Sequence, residues 1–104
     1  MEIIETSVFT RRVRELLRDD EYRLLQLYLL GRPDAGTVIR GSGGLRKLRW
    51  SVGFRGKRGG IRVVYYWRDN ERLLMLYLYP KSERDDLTAA QKRALRDIVE
   101  KEYR

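Results

Sequence analysis

The chain has 104 residues, with 23 Lys and Arg against 15 Asp and Glu for a formal charge of +8, and it contains neither Cys nor His. That length fits one small domain spanning 1–104, and the missing residue types exclude disulfides, thiolate nucleophiles, imidazole bases and the usual zinc sites. An Arg-rich positive balance favours polyanions, with nucleic acid ahead of two blander readings, a solubilising surface or an acidic protein partner.

The opening "MEIIETSVF" is acidic and lacks the basic start and apolar stretch of a signal peptide, and no run approaches the ~20 apolar residues of a membrane span, so a cytoplasmic protein with no membrane partner is expected. "MEIIET" reads as a short strand. Thr6 or Ser7 then caps a helix whose apolar positions Phe9, Val13, Leu16 and Leu17 fall at helical spacing. "RDDEY" resets the pattern: Asp19 or Asp20 is expected to cap a second, antiparallel helix with Tyr22, Leu25 and Leu29 on one stripe, ended by "GRPDAG".

From Thr37 the period changes to two. "TVIRG" is short, and in "LRKLRWSV" Leu48, Trp50 and Val52 alternate with Lys47, Arg49 and Ser51, predicting a core face and a basic face. "GFRGKRGG" is too rich in Gly for a strand interior and suits a hairpin tip. In "GIRVVYYWRD" Ile61, Val63, Tyr65 and Trp67 point one way and Arg62, Val64, Tyr66 and Arg68 the other. "RDNE" turns the chain into "RLLMLYLY", apolar on both faces as a central strand is, which Pro80 ends with Lys81 just beyond. Thr88 and Gln91 stand at capping-box spacing, Asp85 and Asp86 lie near the positive end of the helix dipole, and Leu95, Ile98 and Val99 form the inward stripe of a closing helix. The expected fold is α+β, in the order β-α-α-β-β-β-α, with an antiparallel sheet of roughly four strands carrying two N-terminal helices and one C-terminal helix.

This order of elements, together with "GGIRVVYYW", "LLMLYLYPKSERDDLT" and the basic "LRKLRW", resembles the RelE/ParE superfamily of toxins, and most closely its HigB-like branch. The resemblance covers nearly the whole chain and is most specific at the strand with Gly60, Arg62 and Tyr66 and at "YPKSERDDLT". It implies a type II toxin-antitoxin toxin that cuts messenger RNA in the ribosomal decoding site and so inhibits translation. It also implies an endonuclease working without metal or other cofactor, and a cognate HigA-like antitoxin that carries the complex to operator DNA. In that chemistry the ribose 2′-hydroxyl attacks the neighbouring phosphate, and preorganised cations stabilise the phosphorane more than the ground state.

By position, Arg62 matches the family's catalytic strand Arg and Lys81 its basic residue at the end of the last strand, while Lys57, Arg55 and Arg58 occupy the hairpin that brings further cations to the RNA backbone. Many RelE-type members place a Tyr or His acid-base group in the C-terminal segment, but residues 82 to 102 contain neither. Tyr66 is the substitute candidate, for proton transfer or for stacking a base, and Lys81 or Lys57 is a candidate base if neighbouring cations lower its pKa. Arg46, Lys47 and Arg49 would widen the RNA-binding surface. The ordinary alternatives are an Arg62 paired with Asp69 or Glu71, a Lys81 paired with Glu83 or Asp85, and a Tyr66 packed under a loop. Two other functions stand beside the nuclease: a ParE-like poison of DNA gyrase, and a non-catalytic RNA- or ribosome-binding homologue.

Overall fold

The computed structural model describes residues 1–51 and 60–102. The elements run β1 (Glu2–Glu5), α1 (Ser7–Leu16), α2 (Asp19–Gly31), β2 (Thr37–Val38), β3 (Arg46–Trp50), β4 (Ile61–Trp67), β5 (Arg72–Pro80) and α3 (Ala89–Glu102), which is the expected α+β order with one short strand added. The strands form one sheet in the order β1-β5-β4-β3-β2. It is mixed rather than purely antiparallel, because β1 joins β5 in parallel, Glu2 opposite Arg72 and Glu5 opposite Met75. The direction in which a terminal strand docks is fixed by where α1 and α2 return the chain, and alternation within "MEIIET" carries no trace of it.

Helices cover both faces, which explains why β4 and β5 are apolar on both sides. Phe9, Val13 and Leu17 with Leu25 and Leu29 of α2 pack on Leu48, Ile61, Val63, Tyr65, Leu73, Met75 and Leu78. On the opposite face Leu87, Leu95 and Val99 pack on Leu45, Val64, Leu74, Leu76 and Tyr79. A bulge permits this assignment: Val64 faces Tyr77 but Tyr65 faces Met75, so β5 holds one extra residue, and Tyr79 shares a face with Leu74 and Leu76 despite its odd number.

The caps follow local chemistry. Thr6 Oγ1 accepts from the Phe9 amide at 3.1 Å, and Thr88 and Gln91 exchange side-chain and backbone bonds at 3.1 and 2.9 Å as the capping-box spacing predicts. The second helix corrects the expectation for Asp19 and Asp20: both lie inside its first turn, and the position before it is Arg18, whose amide donates to Glu21 Oε1 at 2.8 Å. Carboxylates within the first turn still complement the dipole, which is why the acidic cluster marked the right boundary with the wrong capping residue. Beyond the end of β1, the exposed edge of β5 is closed by α1. Thr6 Oγ1 donates to the Leu76 carbonyl and Arg12 Nε to the Leu78 carbonyl, each at 2.8 Å.

Candidate functional site

The centre of the site is fixed by strand register. In β3 and β4, Arg49 lies directly opposite Arg62, and on the other side of β4 Arg62 lies opposite Tyr79. Directly opposed residues project from the same face with Cβ atoms about 5 Å apart. The row Arg49-Arg62-Tyr79 therefore stands on the face that α3 covers further along. Arg62 is only 5% exposed, whereas Arg49 is open to solvent. Like charges directly across a ladder repel each other, so this opposition is not one that strand pairing alone favours.

The backbone at the entry to β4 is held tightly. Gly60 has φ +77, and a Cβ there would lie 2.3 Å from the Trp50 carbonyl oxygen, so only Gly fits. Its own carbonyl accepts from the Lys81 amide at 3.1 Å, which ties the exit of β5 to the entrance of β4 and brings Lys81 to the same end of the sheet as Arg62. Lys81 is exposed. Its expected competitor for pairing, Glu83, is taken by Arg12 at 2.8 Å. Asp69 and Glu71 are at the other end of β4, where Asp69 accepts from the Glu71 and Arg72 amides in the turn, out of reach of Arg62.

Lys47 stands on the same face as Arg49, two residues back, and its Nζ donates to Asp86 Oδ1 at 2.6 Å. That bond holds the Asp86 carboxyl below the usual carboxylate range. Asp86 thus anchors Lys47 as well as lying before α3, a long-range partnership that helix-capping logic does not reveal. Tyr79 was concealed by the bulge. It is fully buried, its hydroxyl donates to the Asp85 carbonyl at 3.1 Å, and burial raises its phenol pKa, so at neutral pH it is a fixed neutral wall beside Arg62.

The remaining candidates separate. Tyr66 shares the face of Arg62, but four residues of strand put their Cα atoms about 13 Å apart. Val64 intervenes, and Tyr66 lies half-buried against the loop at Gly44. Arg46 belongs to the opposite face: its guanidinium donates to the Asp34 and Gly36 carbonyls at 3.1 and 2.8 Å and sits 5.7 Å from the centroid of Trp67. Its parity with Leu48 was the signal that separates it from Lys47 and Arg49. Arg55, Lys57 and Arg58 lie outside the described residues. Among the described residues no group of three or more acidic side chains is placed to hold a metal ion.

The row of cations at one end of the sheet has the composition of a phosphate site. The family model described as the RelE toxin of the RelE / RelB toxin-antitoxin system matches residues 1–103, so the chain belongs to the RelE toxin family and is the toxin of a pair completed by a cognate antitoxin.

Proposed function

We propose that this toxin is a ribosome-dependent, metal-independent messenger RNA endonuclease that inhibits translation. The observation carrying the proposal is the direct cross-strand opposition of Arg49 and Arg62, the latter buried on a central strand, in a member of the RelE toxin family. Two guanidinium groups sharing one anion suit a phosphate whose charge grows during reaction. The 2′-hydroxyl oxygen attacks phosphorus, the phosphorane charge falls on Arg62 with Arg49 beside it, and the bond to the 5′-oxygen breaks. Lys81 and Lys57 are the candidates for the two proton transfers, one accepting the hydroxyl proton and the other supplying the leaving oxygen. Tyr66 is too far along β4 to move either proton at that phosphate, so its proposed role is base stacking. Lys47 and Arg49, with Arg55 and Arg58, are proposed to hold the RNA backbone, and Arg46 is left to the opposite face. The ribosome presents the messenger, and the antitoxin, proposed to be HigA-like and DNA-binding, blocks access.

The test is primer extension on a translated reporter messenger in a purified translation system, comparing the native chain, Arg62→Ala and a reaction without ribosomes. Cuts inside ribosome-occupied codons are expected for the native chain only, with the variant reduced by about a hundredfold or more, the scale for losing a preorganised charge-stabilising donor. Full cleavage by a folded Arg62→Ala refutes the role of Arg62. Intact messenger in every reaction refutes the nuclease.

A further inference from the structure

The loop 39–45 and helix α3 meet along a seam with a cavity on each side. One, about 310 Å³, has Ser42, Gly43, Tyr66, Arg68, Arg96 and Glu100 among its walls. The other, about 320 Å³, has Arg40, Lys47, Asp86 and Lys92 among its walls. Lys92 and Arg96 are one helical turn apart on α3, so the two cavities follow one line along the helix. Five cations face two carboxylates along it. One of those, Asp86, is bound to Lys47, and the other, Glu100, stands 3.4 Å from Arg96.

The loop forms a preorganised wall. Ser42 is buried, donates to the Ile39 carbonyl at 2.6 Å and accepts from the Leu45 amide at 3.0 Å, while the Ile39 amide donates to the Leu45 carbonyl at 2.7 Å. Gly43 has φ +75, and a Cβ there would crowd Arg96 Nε at 3.2 Å, so the missing side chain makes room for the guanidinium. Beside it Tyr66 is the aromatic wall of the first cavity, with apolar Leu45 and Val99 around it. The seam begins at Lys47, two residues along the same strand face from Arg49, about 7 Å.

We infer that this seam is a groove for single-stranded RNA, in which Lys92 and Arg96 follow the backbone and Tyr66 stacks a base further along the strand from the phosphate held at Arg62. The inference rests on the endonuclease reading for the phosphate at Arg62. RNA is favoured over an acidic peptide because an aromatic wall flanked by guanidinium groups fits a nucleobase and its phosphate together, whereas carboxylates need only the charge.

The test is a fluorescence-anisotropy titration of the purified chain with a labelled single-stranded RNA of about eight nucleotides, within the site sizes of single-strand binders. The Lys92→Glu/Arg96→Glu pair is expected to lower affinity about tenfold or more, and the equal charge change Arg11→Glu/Arg14→Glu on exposed α1 about threefold or less, since long-range attraction alone separates poorly by position. Tyr66→Leu is expected to cost about tenfold and Tyr66→Phe little, by loss or retention of the stacking face. In the native chain, light-driven cross-linking of 5-iodouridine RNA should map to Tyr66, which requires no variant to fold. Equal losses from the two charge-reversal pairs, or cross-links that avoid Tyr66, overturn the inference in favour of diffuse attraction. Displacement of the RNA by oligoglutamate of matched charge at equal concentration overturns it in favour of an acidic protein segment. No ribosome is present and no cleavage is read, so a failure here is distinguishable from a failure of the nuclease.

Discussion

Replacing Gly60 by Ala joins the stability of the sheet to the geometry of the site. The added Cβ would lie 2.3 Å from the Trp50 carbonyl oxygen, about 0.7 Å inside the 3.0 Å that real Cβ atoms respect, and 3.3 Å from Ser51 Cα. Both obstacles are backbone, so relief requires the ends of β3 and β4 to part. Holding an L-residue at φ +77 costs about 1–2 kcal/mol, and losing the Lys81–Gly60 bond with one further ladder bond costs about 1 kcal/mol each. The total is about 3–4 kcal/mol.

Gly41 separates the two causes. It has φ +69 with nothing within 4 Å of its ideal Cβ, so Gly41→Ala incurs the conformational cost alone, about 1–2 kcal/mol. The entropy that Ala removes from the unfolded chain is shared by both variants and cancels in the comparison. At about 5 °C per kcal/mol for a domain of this size, thermal unfolding followed by circular dichroism should show Gly60→Ala falling roughly 17 °C and Gly41→Ala roughly 7 °C. Gly60→Ala should also lose messenger cleavage at temperatures where it is fully folded, because Lys81 and Arg62 flank the displaced residue. Equal drops in the two variants, or native cleavage by Gly60→Ala, would refute the close-packed entrance to β4.

Tyr65→Phe removes a buried hydroxyl that donates to the Pro33 carbonyl at 2.7 Å and accepts from the Gly36 amide at 2.8 Å, so urea unfolding should show a loss of about 3 kcal/mol from two stranded backbone groups. A loss below about 0.5 kcal/mol would mean that water replaces the hydroxyl there. Asp86 has a folded-state pKa depressed below 3.8 by its hydrogen bond to Lys47, so its contribution to stability is present above that value and is lost as pH falls through the lower folded-state value. Asp86→Asn should therefore flatten the acid limb of a stability-against-pH curve measured below pH 3.8, and an unchanged limb would count against the bond.

The elements readable from the sequence are those whose period is set by burial on a single face or whose ends carry local chemistry. Phe9, Val13 and Leu17 declared α1, and Thr88 with Gln91 declared the start of α3, because both signals are written within a few residues. Cover on both faces was legible in "RLLMLYLY", but which helix supplies each face, the parallel docking of β1 and the extra residue in β5 were not, since each depends on contacts between distant segments. The same division runs through the site. Arg62 and Lys81 share an end of the sheet as their positions in the motif implied, while Tyr66 shares the strand face of Arg62 yet stands too far along it. Tyr79 and Asp86 enter through pairings between distant strands or segments, a relation that residue spacing cannot express.

Under the proposed nuclease, the different burial of the cations would give them different work. An exposed Arg49 or Lys81 acts through water and salt, which weakens attraction at a distance but leaves the side chain free to follow an incoming backbone. Arg62, nearly enclosed on the middle strand of the sheet, has already given up most of its hydration and much of its rotamer freedom on folding. A phosphate reaching it therefore meets a charge that needs little reorganisation, in surroundings that screen it less than bulk water does. The desolvation cost was met by the packing of β4 between β3 and β5. A lysine in that position would keep the charge but lose the planar fork that can hold two oxygens of one anion at once, so under the proposed nuclease Arg62→Lys should retain less cleavage than an equal charge alone would give.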